Sequence, residues 1–87
     1  MRVSAVIPAY NEEKTIGDVI SVVTDCSQIN EVVVVSDGST DNTADIVKEY
    51  PVNLIELAEN RGKGAAMQEG VDASSGDVFI FLDADLL

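Results

Sequence analysis

Four consecutive valines, Val32 to Val35, restrict the fold of this chain more than any other feature. β-Branched side chains favour extended backbone, and a run without polar alternation predicts a strand that is buried on both faces. Three other short runs are also apolar, at residues 3–7, 52–57 and 78–82; the run at 52–57 is less apolar than the valine run, which predicts a strand nearer the edge of the sheet. Strands that are buried on both faces belong to parallel sheets covered by helices. The sequence therefore predicts an α/β fold.

The segments between the apolar runs predict helices. The first helix shows apolar residues spaced along one face: Ile16, Val19, Ile20, Val23 and Cys26. We expect Asn11 to cap this helix and the thiol of Cys26 to be buried on its apolar face.

The second helix is expected after a turn at residues 36–41 and contains Ile46, Val47 and Tyr50. Its cap is expected at residue 39, 40 or 41, and Pro51 ends it. A third helix follows the glycine-bearing loop at residues 60–64 and ends at residues 74–76.

The resulting order, βαβαβαβ, fits a single domain that spans residues 1–87. Right-handed crossovers predict a Rossmann-like parallel sheet in the order 3-2-1-4, with helices on both faces. Ligands of such sheets bind beyond the carboxyl ends of the strands, where the strand order reverses. Polar residues follow the first, second and fourth apolar runs, so we expect the site at that edge.

The composition excludes several classes of function. The formal charge is −11 and histidine is absent, which argues against a nucleic-acid partner and against catalysis by a serine–histidine or cysteine–histidine pair. The opening apolar run is short and reaches Pro8, unlike a signal peptide, and no run approaches the roughly 20 apolar residues that span a bilayer. We therefore expect a cytoplasmic location.

Two carboxylates, Asp83 and Asp85, follow the fourth apolar run. In extended chain, side chains two residues apart point the same way, so both can converge on one small volume. We interpret this acidic tip as a site for Mg²⁺ or Mn²⁺, completed in part by phosphates of a ligand. The alternative is a pair of turn or capping aspartates.

Three other features suggest ligand contacts. Asp37 follows the valine run, where it could accept hydrogen bonds from a base or a ribose, or form a turn. Arg61 and Lys63 lie in a loop at a helix N-terminus, which favours phosphate binding, although a solvated loop is the alternative. This loop fits neither a P-loop nor a dinucleotide fingerprint. Tyr10 could stack on a base or cover the sheet.

Four motifs stand out along the chain: VIPAYNEE at residues 6–13, VSDGSTDNT at 35–43, NRGKG at 60–64 and FLDADL at 81–86. Together they resemble the motifs of family 2 glycosyltransferases. Their order and spacing also match, and they cover nearly the whole chain. The resemblance implies the nucleotide-binding half of a GT-A enzyme. The last two motifs lean toward enzymes that transfer sugar to dolichyl or polyprenyl phosphate, with glucosyl-3-phosphoglycerate synthase-like enzymes as another branch.

The resemblance also implies roles for particular residues. Asp37 would bind the base, Lys63 would lie near the base or phosphates, and Asp83 would face the ribose and the metal. Asp85 would ligate the divalent cation. The nucleoside pocket would be lined by Pro8, Ala9, Tyr10 and Glu12. The donor would be a UDP- or GDP-sugar, and transfer would invert the anomeric centre.

The resemblance is incomplete at the carboxyl end, because family members continue well beyond the Asp-x-Asp motif. We therefore expect a fragment without a catalytic residue of its own, which binds nucleotide but lacks the acceptor half. Strand 4 would be an exposed edge open to homodimer formation. The alternative function is a folded, inactive piece that binds nucleotide weakly or only self-associates.

Two further enzyme classes fit less well. A haloacid-dehalogenase-like phosphatase usually opens with its Asp-x-Asp and follows it closely with Thr or Val. A nucleotidyltransferase expects a glycine-rich, arginine-bearing loop after strand 1, where this chain has residues 8–11.

Overall fold

The computed structural model describes residues 1–85, and its four strands form one sheet. The strands are β1 (Val3–Ala9), β2 (Glu31–Asp37), β3 (Asn53–Leu57) and β4 (Val78–Phe81). The helices are α1 (Ile16–Thr24), α2 (Thr43–Val47) and α3 (Lys63–Ala73). All three strand pairs are parallel and the order is β3-β2-β1-β4, which confirms the predicted topology. Within residues 1–85, no helix has the length and apolar character needed to cross a membrane.

The valine run is buried on both faces of the sheet because alternate side chains point to opposite sides. Val32 and Val34 belong to the larger core cluster, together with buried residues of α1 and Val47 of α2. Val33 and Val35 belong to a second cluster with Ala66 of α3. Helices therefore cover both faces, as the continuous apolar run predicted.

Two predictions for α1 are wrong. The helix ends at Thr24, whose hydroxyl donates to the Ile20 carbonyl at 2.9 Å, so Cys26 lies beyond the apolar face and is exposed. Thr15 occupies the N-cap position that was expected for Asn11. Asn11 instead has a positive φ of 52°, and its Oδ1 atom accepts a hydrogen bond from the Thr40 amide at 2.8 Å. Its side chain therefore holds the neighbouring loop.

The second helix is shorter than predicted. It ends at Val47, ahead of Tyr50 and Pro51. Asn42 is its N-cap by position, while the carboxylate of Asp41 accepts a hydrogen bond from the Thr43 amide at 2.9 Å. Asp41 therefore accepts the hydrogen bond of the first helical amide, although it lies one residue before the N-cap position.

Strand β4 is less buried than predicted. Val78, Ile80 and Phe81 keep 38%, 40% and 43% of their surface exposed. The reason is position: β4 pairs with β1 at the edge of the sheet, whereas α3 packs on β1 and β2. The expected apolar edge is present, and a homodimer through it stays a prediction.

Glu31 joins three segments at the amino end of the sheet. Its Oε1 atom accepts hydrogen bonds from the hydroxyl of Ser4 at 2.7 Å and from the amide of Ser75 at 2.9 Å. Ser4 is fully buried in β1, and Ser75 precedes β4. The hydrogen bond from Ser4, followed by that from Ser75, lowers the pKa of Glu31 below its ordinary value of 4.5.

We expect Glu31→Gln to reduce the dependence of stability on acid pH. A carboxyl group with a lowered pKa in the folded state stabilises the protein above its unfolded-state pKa, and this contribution is lost as pH falls through the folded pKa. Urea unfolding at pH 7 and at about pH 3 should show a wild-type advantage over the variant at pH 7 that shrinks at acid pH. Glu49→Gln, at an exposed position, is the matched control. An advantage that is equal at both pH values would contradict the prediction.

Candidate functional site

A cleft of about 490 Å³ lies at the carboxyl edge of the sheet, where the loops after β1, β3 and β4 meet beside the last residue of β2. Of the residues predicted for the site, these line it: Pro8, Ala9, Tyr10, Glu12, Asp37, Lys63, Asp83 and Asp85. The cleft is also lined by four residues that were not predicted as ligand contacts: Asn60, Gly62 and Ala84, which lie within the motifs, and Ala66 of α3. Residues from four separate motifs thus converge at the predicted edge, and their contacts with a nucleotide stay predictions.

Asp37 holds the glycine-bearing loop in place. This residue is 4% exposed, and its two oxygens accept hydrogen bonds from the backbone amides of Arg61 at 2.8 Å and Gly62 at 3.0 Å. Each carboxylate oxygen can accept more than one hydrogen bond, so these two bonds are compatible with the predicted contact with a base. The structure nevertheless gives Asp37 a role that the sequence did not show, as the anchor of one wall of the cleft.

The two cations of this loop point in different directions. The guanidinium of Arg61 pairs with Glu69 of α3 at 3.2 Å, and Arg61 is not among the described residues that line the cleft. The ammonium of Lys63 instead contacts the carboxylate of Asp83. This hydrogen bond, with the charge of the same carboxylate, raises the pKa of Lys63. Lys63 is therefore the loop cation that faces the acidic tip.

The loops after β1 and β2 are bonded to each other. The backbone amide of Asn11 donates to the Ser39 hydroxyl at 3.0 Å, and the backbone amide of Glu12 donates to the hydroxyl of the fully buried Thr43 at 2.9 Å. Burial raises the pKa of Asp41, but hydrogen bonds from the Thr43 hydroxyl and from backbone amides, among them those of Thr43 and Glu13, together outweigh burial and lower it. These contacts fix the wall of the cleft that includes Tyr10, whose side chain is partly exposed.

The acidic tip carries a concentration of negative charge. Burial, followed by the charges of Asp85, Asp41 and Asp83, raises the pKa of Glu12. Among residues 1–85, no group of three or more His, Cys, Asp or Glu residues is placed to hold a metal ion by itself. Oxygen donors suit Mg²⁺ or Mn²⁺, which commonly take one or two carboxylates and complete their coordination with water and ligand phosphates. Asp83 and Asp85 fit that arrangement.

The fold matches those of solved glycosyltransferases. The mannosyltransferase PcManGT from Pyrobaculum calidifontis, solved with GDP-Man and Mn²⁺, superposes with a TM-score of 0.89 at 31% identity, covering 97% of this chain and 27% of that one. Glucosyl-3-phosphoglycerate synthase from Mycobacterium tuberculosis, solved with Mn²⁺ and UDP-Glc, gives 0.87 at 31% identity, covering 97% and 33%. The chain therefore has the GT-A fold.

The family assignment follows from the sequence comparison. The model of glycosyl transferase family 2 matches residues 4–87, and this chain belongs to that family. The dolichol-phosphate mannosyltransferase of Pyrococcus furiosus is 39% identical in an alignment 92 residues long that covers 99% of this chain and 26% of that protein. The chain thus spans about a quarter of that relative's length.

Proposed function

We propose that this chain is the donor-binding part of an inverting glycosyltransferase that uses a GDP- or UDP-sugar, a divalent cation and a polyprenyl phosphate acceptor. One observation carries the proposal: Lys63 and the carboxylates of Asp83 and Asp85 share one cleft at the carboxyl edge of a GT-A sheet. The two solved relatives, which hold a nucleotide-sugar and Mn²⁺, support the donor and the cation.

The charges of the chain explain why donor binding would need a cation. With a formal charge of −11 and an acidic tip, the cleft repels a diphosphate. Asp83 and Asp85 would hold Mg²⁺ or Mn²⁺, which neutralises the diphosphate and makes it a better leaving group. Lys63 supplies a second positive charge beside it. The loop that Asp37 anchors and the ring of Tyr10 form the walls for the nucleoside.

The acceptor is proposed from the resemblance to dolichol-phosphate mannosyltransferase. A phosphate acceptor is already ionised near neutral pH, so it needs no general base from this chain. Inverting displacement places the acceptor oxygen opposite the leaving diphosphate. The acceptor surface, and any catalytic group that acts on it, would then belong to sequence outside residues 1–87. A polyprenyl acceptor would bring the complete enzyme to the cytoplasmic face of a membrane.

The exposed apolar residues of β4 favour a second candidate function. Val78, Ile80 and Phe81 leave an edge that another strand could cover. In this alternative, the chain is a folded piece that self-associates and binds nucleotide weakly.

The test is calorimetric titration of the chain with GDP and with UDP, in Mn²⁺ and then in EDTA. We expect Mn²⁺-dependent binding of one nucleotide that Asp85→Ala weakens by at least about tenfold, since a charged ligand of the cation is lost. Asp72→Ala, which removes an exposed carboxylate of α3, is the matched control and should bind as the wild type does. Absence of nucleotide binding by the folded chain would overturn the proposal, and a dimer by sedimentation would then favour the alternative.

A further inference from the structure

Thr15 occupies the N-cap position of α1 without capping the helix. Threonine at this position commonly accepts a hydrogen bond from an amide of the first turn. Here no side-chain capping bond forms, and the hydroxyl donates to the carbonyl of Ala84 at 2.8 Å. The hydroxyl therefore links the start of α1 to the middle of the acidic tip, 69 residues later in the chain.

Ala84 is the residue of the acidic tip that packs into the core. It is 3% exposed and belongs to the core cluster that contains Ile16 and Val19 of α1. Two residues earlier, the Leu82 amide donates to the Val6 carbonyl at 3.1 Å. A backbone hydrogen bond to β1 thus holds the chain just before the two aspartates, and Thr15 at the start of α1 holds the chain between them.

The two neighbours of Ala84 carry the charges. Asp83 and Asp85 are exposed and line the cleft, while the alanine between them is buried. The two carboxylates carry like charges, which repel and favour a tip that spreads apart, although Lys63 pairs with Asp83. A bond to the carbonyl between the two residues opposes that spreading without occupying either carboxylate.

We propose that Thr15 is a positioning residue for the acidic tip: its hydroxyl fixes the Ala84 carbonyl and thereby sets Asp83 and Asp85 to bind a divalent cation. The inference rests on the proposed function for the identity of the ligand. It adds a residue that lies outside the cleft lining and acts on the cation through the backbone of the tip.

The test compares Thr15→Val, which keeps the shape of the side chain but removes the donor, with Thr15→Ser, which restores the hydroxyl. Thr24→Val is the matched control, because it removes a threonine-to-carbonyl bond from the other end of α1. The first measurement is the NMR order parameter of the Ala84 methyl in the ligand-free chain, with the buried Ala5 methyl as the internal reference. The second is the affinity for Mn²⁺ alone, from paramagnetic broadening of the signals of residues 83–85.

We expect Thr15→Val to lower the order parameter at Ala84 but not at Ala5, and to weaken Mn²⁺ binding by about fivefold. Thr15→Ser should restore both properties, and Thr24→Val should leave them unchanged. An unchanged Ala84 methyl, an unchanged Mn²⁺ affinity, or a wild-type chain that binds no Mn²⁺ would each overturn the inference. A wild-type chain that binds Mn²⁺ but neither GDP nor UDP would overturn the proposed function and leave the role of Thr15 standing.

Discussion

Gly38→Ala is expected to lower the free energy of unfolding by about 2 to 5 kcal/mol, a large part of the stability of a small domain. The residue has a φ of +71°, which is unfavourable for a side chain bearing Cβ. An added Cβ would lie 2.4 Å from the backbone nitrogen of Asn60 and 2.4 Å from the carbonyl carbon of Glu59. These are backbone atoms, so rotation of a side chain cannot relieve the contact.

Urea denaturation followed by circular dichroism measures this effect. Gly64→Ala is the matched control, because an added Cβ there meets no atom within 4 Å and the position lies in the first turn of α3. The control is expected to match or exceed wild-type stability by about 0.5 kcal/mol. If Gly38→Ala unfolded at the same urea concentration as the wild type, the close approach of the two loops would be wrong.

Local pattern was sufficient to predict the strands and their order. Each apolar run is short and bounded by polar or turn-forming residues, and the chirality of the crossovers leaves few orders for four parallel strands. The ends of α1 could not be predicted in this way. Cys26 continues the apolar spacing of the helix, but Thr24 bonds back to Ile20 and the chain turns away after it. Asn11 has the residue type of a cap, yet its partner lies in another loop.

The site was predictable where topology alone brings residues together. Asp37 ends β2, Asp83 and Asp85 follow β4, and the carboxyl ends of parallel strands meet at one edge. The sequence could not show that Lys63, and not Arg61, faces the cleft, because this depends on the direction in which each side chain leaves the loop. Contacts between distant segments, such as the bond from Thr15 to the Ala84 carbonyl, leave no local pattern in the sequence.

The second large loss of stability is expected from Asp37→Asn, at the residue next to Gly38. The amide side chain has about the same shape, but its nitrogen would face one of the two backbone amides that Asp37 now binds. One charge-assisted hydrogen bond becomes a contact between two donors in a buried place, so we expect a loss of about 2 to 3 kcal/mol in the free energy of unfolding. Nucleotide affinity is expected to fall as well, because the loop carries Lys63 into the cleft.

Measuring both the urea midpoint and the nucleotide affinity of Asp37→Asn separates two roles for Asp37. If the carboxylate contacts only the base, Asp37→Asn weakens nucleotide binding and leaves the urea midpoint unchanged. If it anchors the loop, both quantities fall, and amide exchange at residues 61 and 62 becomes faster without any ligand present. Glu59→Gln removes the same charge from an exposed position just before this loop and should change neither quantity. Since both Asp37 oxygens are already bonded to loop amides, we expect the second outcome.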